Sequence, residues 1–382
     1  MPVAPNPRVP NNVVAEWFGR RVYPTVAATP EALSDQQNRR CPFLSAAIES
    51  TCACVKAPRS AGVCTISSTS NGTRQDWLVC PYRALDPNLV ENAVRRLFDI
   101  SPEMRVMIRP ATTLARREVR AELLDALARG EAVFVYMQDK LGGEVSLIAS
   151  PGSPELSFDV TLVNLVPGPM APTVGQYAIL EVQTMDFHGS YSHVVKDLDD
   201  ALRLHAEAFH QNVRANVGWL CKKIEGPNIA NVFKRTLYQM LLKFRLAGNG
   251  ACAGAALAIP QAVWDSWQRH LGAPVLVPVD DGTFRLVHPT SPVEPRAWLY
   301  IFDLDTSGDT SPDPVVVTKV IGTDADTMTH YAFKAAPEAI LAAGGPGSMV
   351  LDVIRARLAN WWPELGPLRR AQRLSPKTSL SE

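Results

Sequence analysis

The sequence predicts a mixed α/β protein in which a mixed β-sheet is flanked by helices and preceded by a small N-terminal domain. Helical and strand patterns alternate from residue 86 onward, which favours helices packed on the faces of a sheet. Five of the seven cysteines fall between residues 41 and 80, in a region rich in turns. With 382 residues, 46% of them hydrophobic, the chain is long enough for two domains, which we place at residues 1–100 and 101–382.

The elements follow from periodicity and end signals. A first helix is expected in ALDPNLVENAVRRLF, with Asp86 as its N-cap and Pro87 at the first helical position. A second helix in TLARREVRAELLDALARG ends at Gly130. The predicted strands are, in order, EAVFVYMQDK, a continuous ELSFDVTLVNLV, YAILEVQ after a loop rich in proline and glycine, and WLYIFDLD. Two later helices are predicted in NVFKRTLYQMLLKF and PQAVWDSWQRHL.

Charge and hydropathy restrict the class of protein. The chain carries 38 basic and 38 acidic residues, which argues mildly against a strongly basic nucleic-acid binder. Acids grouped at an active site can nevertheless offset a basic groove elsewhere in this sum. No apolar run approaches the length of a membrane-spanning helix, and the N-terminus lacks the basic and then apolar layout of a secretory signal. We therefore expect a soluble, cytoplasmic protein that does not contact a membrane.

The strand YAILEVQ carries polar side chains where a buried strand is expected. Its period of two places Glu181 and Gln183 on one face. If the preceding strand is its neighbour, Asp159 converges on Glu181, and two close carboxylates repel unless a divalent cation lies between them. Such oxygen ligands suit Mg²⁺, which binds through one or two carboxylates. Glu144, after a pair of glycines, can supply a third.

The spacing of these acids resembles that of the PD-(D/E)XK nuclease superfamily. Asp159 is followed after 21 residues by Glu-Val-Gln, and Gln183 stands where most members have Lys. From about residue 17 to residue 271, longer blocks resemble Type II restriction endonucleases of this superfamily. These blocks are DWLVCPYRALDP, KLGGE, ELSFDVTL, EVQTMDFHGSY, EGPNIANVFKRTLYQM and CAGAALAIPQAVWDSWQRHL.

This resemblance implies a PD-(D/E)XK-type mixed-sheet nuclease core and a site-specific deoxyribonuclease. Such an enzyme is a homodimer that uses Mg²⁺ to cut double-stranded DNA at a GC-rich palindrome of the GCGGCCGC type. Carried over by motif, the catalytic set is Glu144, Asp159, Glu181 and Gln183. Asp159 and Glu181 are expected to hold Mg²⁺, whereas Gln183 can only orient a water or a phosphate oxygen by hydrogen bonding.

The clustered cysteines favour a metal site over disulfides, because the chain shows no export signal. Four short segments similar to the family, CPFL, CVKA, GVC and LVCP, contain Cys41, Cys54, Cys64 and Cys80. Four thiolates fit a closed tetrahedral site, for which zinc is the default, although tetrahedral sulfur also suits iron. The resemblance implies a single structural iron, and hence a metal-stabilised N-terminal domain. Cys52 has no counterpart in these blocks and competes with Cys54 as the second ligand.

A further group of polar residues is expected to contact DNA. In the helix NVFKRTLYQM, Asn231, Lys234 and Arg235 share one face, opposite Phe233 and Leu237. Arginine reads guanine, and lysine and asparagine contact phosphates or bases, although a solvated helix face has the same pattern. The predicted DNA contacts are Asp186, His188, Lys222, Lys223, Asn231, Lys234 and Arg235.

Two alternatives remain open at this point. A noncatalytic, metal-binding DNA regulator needs no converging acids, and an RNA-processing nuclease needs the acids but not duplex DNA. The homodimer follows from symmetry, because a palindrome offers two equivalent strands to two equivalent sites.

Overall fold

The structure is a computed structural model that describes residues 10–70, 73–247, 249–287, 295–308, 311–342 and 346–365. The basic tail residues Arg369, Arg370 and Arg373 lie outside these ranges. The fold is mixed α/β with a large mixed sheet, as the sequence predicts. The proposed boundary between residues 100 and 101 stays a prediction. No helix in the described ranges combines the length and the apolar character that crossing a membrane requires.

The helices and strands have the following bounds. The α-helices are α1 (Pro30–Gln37), α2 (Pro42–Ile48), α3 (Pro81–Ala84), α4 (Pro87–Leu97), α5 (Arg117–Ala128), α6 (Ser192–Leu204), α7 (Phe209–Ala215), α8 (Ile229–Leu246), α9 (Gln261–His270), α10 (Ala325–His330), α11 (Ala336–Ala342) and α12 (Pro346–Leu358). The strands are β1 (Asn12–Trp17), β2 (Arg20–Arg21), β3 (Val63–Ser70), β4 (Thr73–Leu78), β5 (Val106–Pro110), β6 (Ala132–Met137), β7 (Val145–Leu147), β8 (Leu156–Phe158), β9 (Val160–Val166), β10 (Thr173–Val182), β11 (Phe187–Gly189), β12 (Ile224–Pro227), β13 (Cys252–Pro260), β14 (Leu276–Pro278), β15 (Phe284–Leu286), β16 (Ala297–Leu304) and β17 (Val315–Thr323).

The large sheet has nine strands in the order β14-β15-β17-β16-β13-β10-β9-β6-β5. Its centre is an antiparallel meander of β6, β9 and β10, which β13 extends in parallel to β10 after the helices α6 to α8. A separate four-stranded sheet, β2-β1-β3-β4, forms near the N-terminus. Two ribbons, β7-β8 and β11-β12, stand apart from both sheets.

Helices cover both faces of the large sheet, so the second half of β10, residues 178–182, is buried on both sides. Ala178, Leu180 and Val182 face a core shared with α2 and α4, whereas Ile179 faces a core shared with α8, α9 and α10. The predicted period of two is therefore confirmed for this strand. Because both faces are dry, a polar side chain on β10 has to find its partners inside the protein.

Most predicted elements are present. Asp86 caps α4, where its carboxylate accepts a hydrogen bond from the backbone N–H of Asn88 at 2.9 Å. Helix α5 ends at Ala128 with Arg129 as its C-cap, and Gly130 follows at a φ of 74°. Helix α5 begins only at Arg117, because residues 111–115 form a 3₁₀ turn. The predicted strands β6, β10 and β16 and the helices α8 and α9 are all formed.

The prediction of one continuous strand in ELSFDVTLVNLV is wrong. The chain bends at Asp159, which divides this segment into β8 and β9. Its carboxylate accepts a hydrogen bond from the backbone N–H of Val182 at 3.2 Å, so the side chain engages the neighbouring strand at the bend. The loop predicted before YAILEVQ is also shorter than expected, because β10 begins at Thr173 and pairs there with Val166.

A buried ion pair ties the N-terminal sheet to the rest of the chain. Glu16 of β1 accepts from the Arg83 guanidinium of α3, with Nε and Oε2 2.9 Å apart, and both residues are almost fully buried. The backbone N–H of Asp313 donates to the same carboxylate at 3.3 Å. The segment before β17 is thereby fastened to the N-terminal region.

Candidate active site and cysteine site

Asp159 and Glu181 lie side by side where β9 and β10 part. The last paired residues are Val160 and Leu180, and the two acids follow directly. The backbone N–H of Asp159 donates to Glu181 Oε1 at 3.1 Å, and Asp159 Oδ2 accepts from the backbone of β10. Each carboxylate is therefore held by the other acid's strand. The structure brings these two acids together as the sequence predicts.

Lys243 of α8 completes this arrangement from the opposite side. Its ammonium donates a hydrogen bond to Glu181 Oε2, and the pair is buried, with 2% and 9% of the two side chains exposed. Both oxygens of Glu181 are thus occupied, one by Lys243 and one by the backbone of Asp159. A fixed positive charge stands next to two carboxylates.

Glu144 reaches the same place from the β7-β8 ribbon. Val145 pairs with Phe158, so the residue before Val145 stands opposite Asp159. Glu144 and Asp159 line a cavity of about 230 Å³, which also contains Gln138 and Asp139. The structure therefore gathers three of the four predicted catalytic residues, with Glu144 and Asp159 facing the cavity and Glu181 behind them.

The acids of this site affect one another's protonation. Burial raises the pKa of Glu181 to about 7, and the charge of Asp159 adds to this, whereas Lys243 acts in the opposite direction. Burial also raises the pKa of Glu144, together with the charges of Asp159 and Asp139. The pKa of Asp139 is lowered because the Tyr82 hydroxyl donates to it at 2.6 Å. The cluster carries more negative charge than Lys243 balances, so it favours a cation.

The side chain of Gln183 turns toward α8. Its Oε1 accepts from the hydroxyl of Thr236 at 2.5 Å, and its Nε2 donates to the backbone carbonyl of Thr184. Its backbone N–H donates to Ala258 of β13 at 2.9 Å. Orientation of a water by this amide stays a prediction, and it requires release of at least one of these bonds.

The donor chemistry of the carboxylates fits Mg²⁺. Within the described ranges, no three His, Cys, Asp or Glu side chains are already arranged to hold a metal ion. Both carboxylate oxygens of Glu181 are hydrogen-bonded within the protein. Mg²⁺ needs only one or two protein carboxylates and takes its other ligands from water or phosphate. Asp159 together with Glu144 or Glu181 meets that requirement.

Four cysteines surround one small cavity in the N-terminal region. The cavity of about 10 Å³ has the volume that a single water or ion occupies. Its sulfur-bearing residues are Cys41, Cys54, Cys64 and Cys80. The backbone N–H groups of Leu44 and Gly62 approach the first two sulfurs at 3.5 Å. All seven cysteines are described and free of disulfides.

Cys52 is directed away from this cavity. Its thiol donates to the carbonyl of Ala53 at 3.5 Å, and it does not line the cavity, whereas Cys54 does. Cys54, and not Cys52, therefore lies beside the other three cysteines, and its role as the second metal ligand stays a prediction.

The four thiols influence one another's charge. The pKa of Cys80 is lowered to about 6, because Cys64 donates a hydrogen bond to it and the Lys56 ammonium lies near. Burial raises the pKa of Cys41 to about 12, and the neighbouring Cys80 and Cys54 add to this. Ionisation of Cys80 is thus favoured, whereas ionisation of Cys41 is opposed. The chemistry of this donor set fits a structural zinc or iron, although its side chains are not arranged in ligand geometry.

The predicted DNA contacts lie on one ribbon and one helix. Asp186 and His188 are exposed at the start of the β11-β12 ribbon, and Asn231, Lys234 and Arg235 are exposed on α8. Phe233, Leu237 and Met240 are buried on the other side of α8, so the predicted division of this helix into two faces is confirmed.

One ion pair joins two of these predicted DNA contacts, and another holds Lys222 at a different helix. Arg235 pairs with Asp186, which brings α8 to the ribbon. Lys222 instead pairs with Asp197 of α6 at 2.5 Å. Lys223 is exposed at a positive φ of 57° in the turn before β12. Asp186, Arg235 and their exposed neighbours therefore lie together and form one continuous part of the predicted DNA surface.

The sequence interpretation missed Lys243. The buried positions Thr236 and Met240 of α8 and Ala247 at its C-cap follow the spacing of one helical face, and Lys243 occupies the same face. A lysine inside an apolar stripe is the signal that points to a buried partner, because a charge is rarely buried unless it is paired.

A comparison with protein-family models finds no match for this chain, and a comparison with curated proteins finds none either. The functional argument therefore depends on the residues and contacts described above.

Proposed function

We propose that the chain is a Type II restriction endonuclease that uses Mg²⁺ to hydrolyse phosphodiester bonds in double-stranded DNA. The observation that carries this proposal is the reciprocal contact of Asp159 and Glu181, with Lys243 behind them and Glu144 across an open cavity. Carboxylates that converge beside a fixed ammonium suit phosphoryl chemistry, in which negative charge has to be stabilised.

Two further features support a PD-(D/E)XK-type core. Asp159 directly precedes β9 and Glu181 lies on β10, and these two antiparallel strands are neighbours in the centre of a mixed sheet covered by helices. The sequence blocks quoted above resemble the restriction endonuclease NotI. From this resemblance we take the homodimer and the GC-rich palindrome of the GCGGCCGC type.

The roles of the residues follow from their positions. Asp159 and Glu144 line the cavity and would hold the cation, with Glu181 as a further ligand once an oxygen is released. A bound Mg²⁺ stabilises charge on the scissile phosphate and lowers the pKa of a water. Lys243 opposes the rise in the pKa of Glu181 and supplies the ammonium that Gln183 does not offer. Gln183 orients a water or a phosphate oxygen.

The N-terminal region is proposed to be stabilised by one iron, with zinc as the alternative, held by Cys41, Cys54, Cys64 and Cys80. Four thiolates leave no open position, so this ion is structural rather than catalytic. The cysteine cavity shares its apolar core with α4 and with the large sheet, which links the ion to the position of the nuclease core.

DNA contact is proposed for the exposed ribbon and the start of α8. His188, Lys223, Asn231 and Lys234 present imidazole, ammonium and amide groups to solvent, and Arg235 and Asp186 form an exposed pair among them. Such groups contact phosphates and base edges.

The decisive experiment digests genomic DNA with the purified protein and Mg²⁺ and sequences the fragment ends. Defined ends at one GC-rich palindrome support the proposal. Asp159→Asn should reduce cleavage at least about a hundredfold, while specific binding in Ca²⁺ persists. Glu155→Gln, an exposed carboxylate in the same segment, serves as the matched control. Specific binding without any cleavage would instead indicate a DNA regulator, and cleavage confined to structured RNA would indicate an RNA-processing enzyme.

A further inference from the structure

The helix α12 and the residues after it form an exposed apolar surface, which we call the C-terminal apolar surface. Its residues are Val350, Leu351, Val353, Ile354, Leu358, Trp361 and Trp362. All are exposed, and Trp361 is exposed to 88%. On the helix, four of them lie within an arc of about 100°, while Asp352 and Arg355 form an ion pair of 3.2 Å outside this arc.

An uncovered helix of this kind does not hold its own structure. α12 has 13 residues, and every side chain from Val350 to Leu358 is exposed. Isolated helices shorter than about 12–15 residues are marginal in water, and helices in proteins gain most of their stability from packing an apolar face. The exposed arc therefore requires a partner surface.

We infer that a second copy of this chain covers the C-terminal apolar surface. The seven side chains expose roughly 800 Å² of mainly apolar area, which equals the area of about 800 Å² that each partner buries in a stable interface. Leu351, Ile354 and Leu358 of α12 are spaced by three and four residues, the spacing of a seam between paired helices, and Trp361 follows in the turn after the helix. A two-fold axis can pair such a surface with itself.

The chain's own tail is a poorer occupant. The segment from 366 to 382, GPLRRAQRLSPKTSLSE, contains three leucines and is otherwise polar, charged or small. It has neither the aromatic nor the branched apolar residues to match two tryptophans and a Val-Leu-Ile stripe. Composition thus favours a self-complementary partner.

This inference places the interface of the proposed homodimer at the C-terminal apolar surface. It rests on the proposed function only for the expectation that two copies pair about a two-fold axis. The surface is built from α12, whereas the candidate nuclease site is built from β9, β10 and α8. Association and chemistry can therefore be changed separately.

The test measures dimer dissociation by sedimentation across a concentration series of the full chain. The wild-type protein should form a dimer, and Leu351→Glu with Ile354→Glu should raise the dissociation constant at least about a hundredfold. Met170→Glu is the control, because Met170 is an exposed apolar side chain outside this surface and its substitution should change nothing. Trp361→Ala, a milder change, should raise the dissociation constant about tenfold if the double variant fails to fold.

A mixing experiment identifies the occupant. Ile354→Glu and Ile354→Lys should each weaken the dimer, and mixing the two variants should restore association, since opposite charges then meet across the two-fold axis. A monomeric wild-type protein at every concentration, or wild-type dissociation constants in the folded variants, would overturn the inference. A dimer that depends on this surface but cleaves no DNA contradicts the proposed function alone. A cleaving dimer that the substitutions leave unchanged contradicts only this inference.

Discussion

Lys243 of α8 and Glu181 of β10 form a buried ion pair, although 62 residues separate them along the chain. The pair explains how a carboxylate can occupy the interior of the sheet directly beside Asp159. An unpaired buried charge is costly, and the neighbouring carboxylate of Asp159 adds to the cost because like charges repel. The helix thus provides the positive charge that the strand sequence Glu-Val-Gln lacks.

We expect Lys243→Met to reduce both stability and cleavage. Removal of one partner from a buried pair costs about 3–5 kcal/mol of unfolding free energy, and loss of a fixed charge at the site should slow cleavage at least about a hundredfold. Urea unfolding and single-turnover cleavage of a short duplex measure the two effects.

A second variant separates these two effects. Lys243→Met combined with Glu181→Gln removes both charges, so it should recover much of the stability without recovering activity. Lys196→Met, which breaks an exposed pair with Asp200, is the control and should change neither quantity measurably. If Lys243→Met cleaves DNA at the wild-type rate, this lysine has no part in the chemistry.

The raised pKa of Glu181 predicts that stability falls as the pH rises, when Mg²⁺ is not added. The folded pKa of about 7 lies above the ordinary value of 4.5, so the folded protein binds the proton more tightly than the unfolded chain does. This contribution is complete below pH 4.5 and is lost as the pH rises to 7. Its size is on the order of 3 kcal/mol.

Unfolding by urea at a series of pH values tests this prediction. Wild-type protein should lose stability between pH 4.5 and 7 relative to Glu181→Gln, which carries no titrating group at this position. Added Mg²⁺ should reduce the loss, because it favours the ionised form. Identical pH profiles for the two proteins would mean that Glu181 titrates normally.

Local signals in the sequence account for the elements that were predicted correctly. Asp86 caps α4 through a contact two residues away, and the alternation in β10 places Glu181 on a defined face. The proximity of Asp159 and Glu181 could be predicted, because consecutive strands in a meander pair directly with each other. Such contacts depend on residues that are close in sequence or on one short connection.

The features that were missed depend on distant contacts. The partner of Lys243 could not be predicted, because only the packing of α8 on the sheet brings this lysine to Glu181, 62 residues away along the chain. The bend at Asp159 arises from a hydrogen bond to β10, which no pattern within ELSFDVTLVNLV contains. The choice between Cys52 and Cys54 likewise depends on how the turn after α2 returns to β3.

The cysteine cavity predicts about one tightly bound iron or zinc per chain. Cys64→Ser and Cys80→Ser should lower the metal content and the yield of folded protein, because a closed thiolate site contributes directly to folding. Elemental analysis and thermal unfolding give the two measurements. Cys221→Ser is the control, since Cys221 lies outside the cavity and bonds to the carbonyl of Gly218. Protein without metal, or with disulfides among these cysteines, would contradict the prediction.

The exposed face of α8 predicts a defined loss of DNA binding. Lys234→Ala should weaken binding and reduce the slope of the affinity against salt concentration by about one, as expected for one lost phosphate contact. Arg235→Ala should weaken binding more, because it also leaves the carboxylate of Asp186 unpaired on the surface that faces DNA. Both variants should fold normally, since the two side chains are exposed.

Asp186→Asn in the background of Arg235→Ala distinguishes the two causes. If repulsion by the unpaired carboxylate adds to the loss, this second change should recover part of the affinity, bringing it close to that of Lys234→Ala. Arg245→Ala is the matched control, because Arg245 is equally exposed but lies near the other end of α8, where it pairs with Asp326 at 2.8 Å. Gel-shift titrations in Ca²⁺ at several salt concentrations measure affinity and slope together. Wild-type affinity and slope in both Lys234→Ala and Arg235→Ala would mean that this helix does not face DNA.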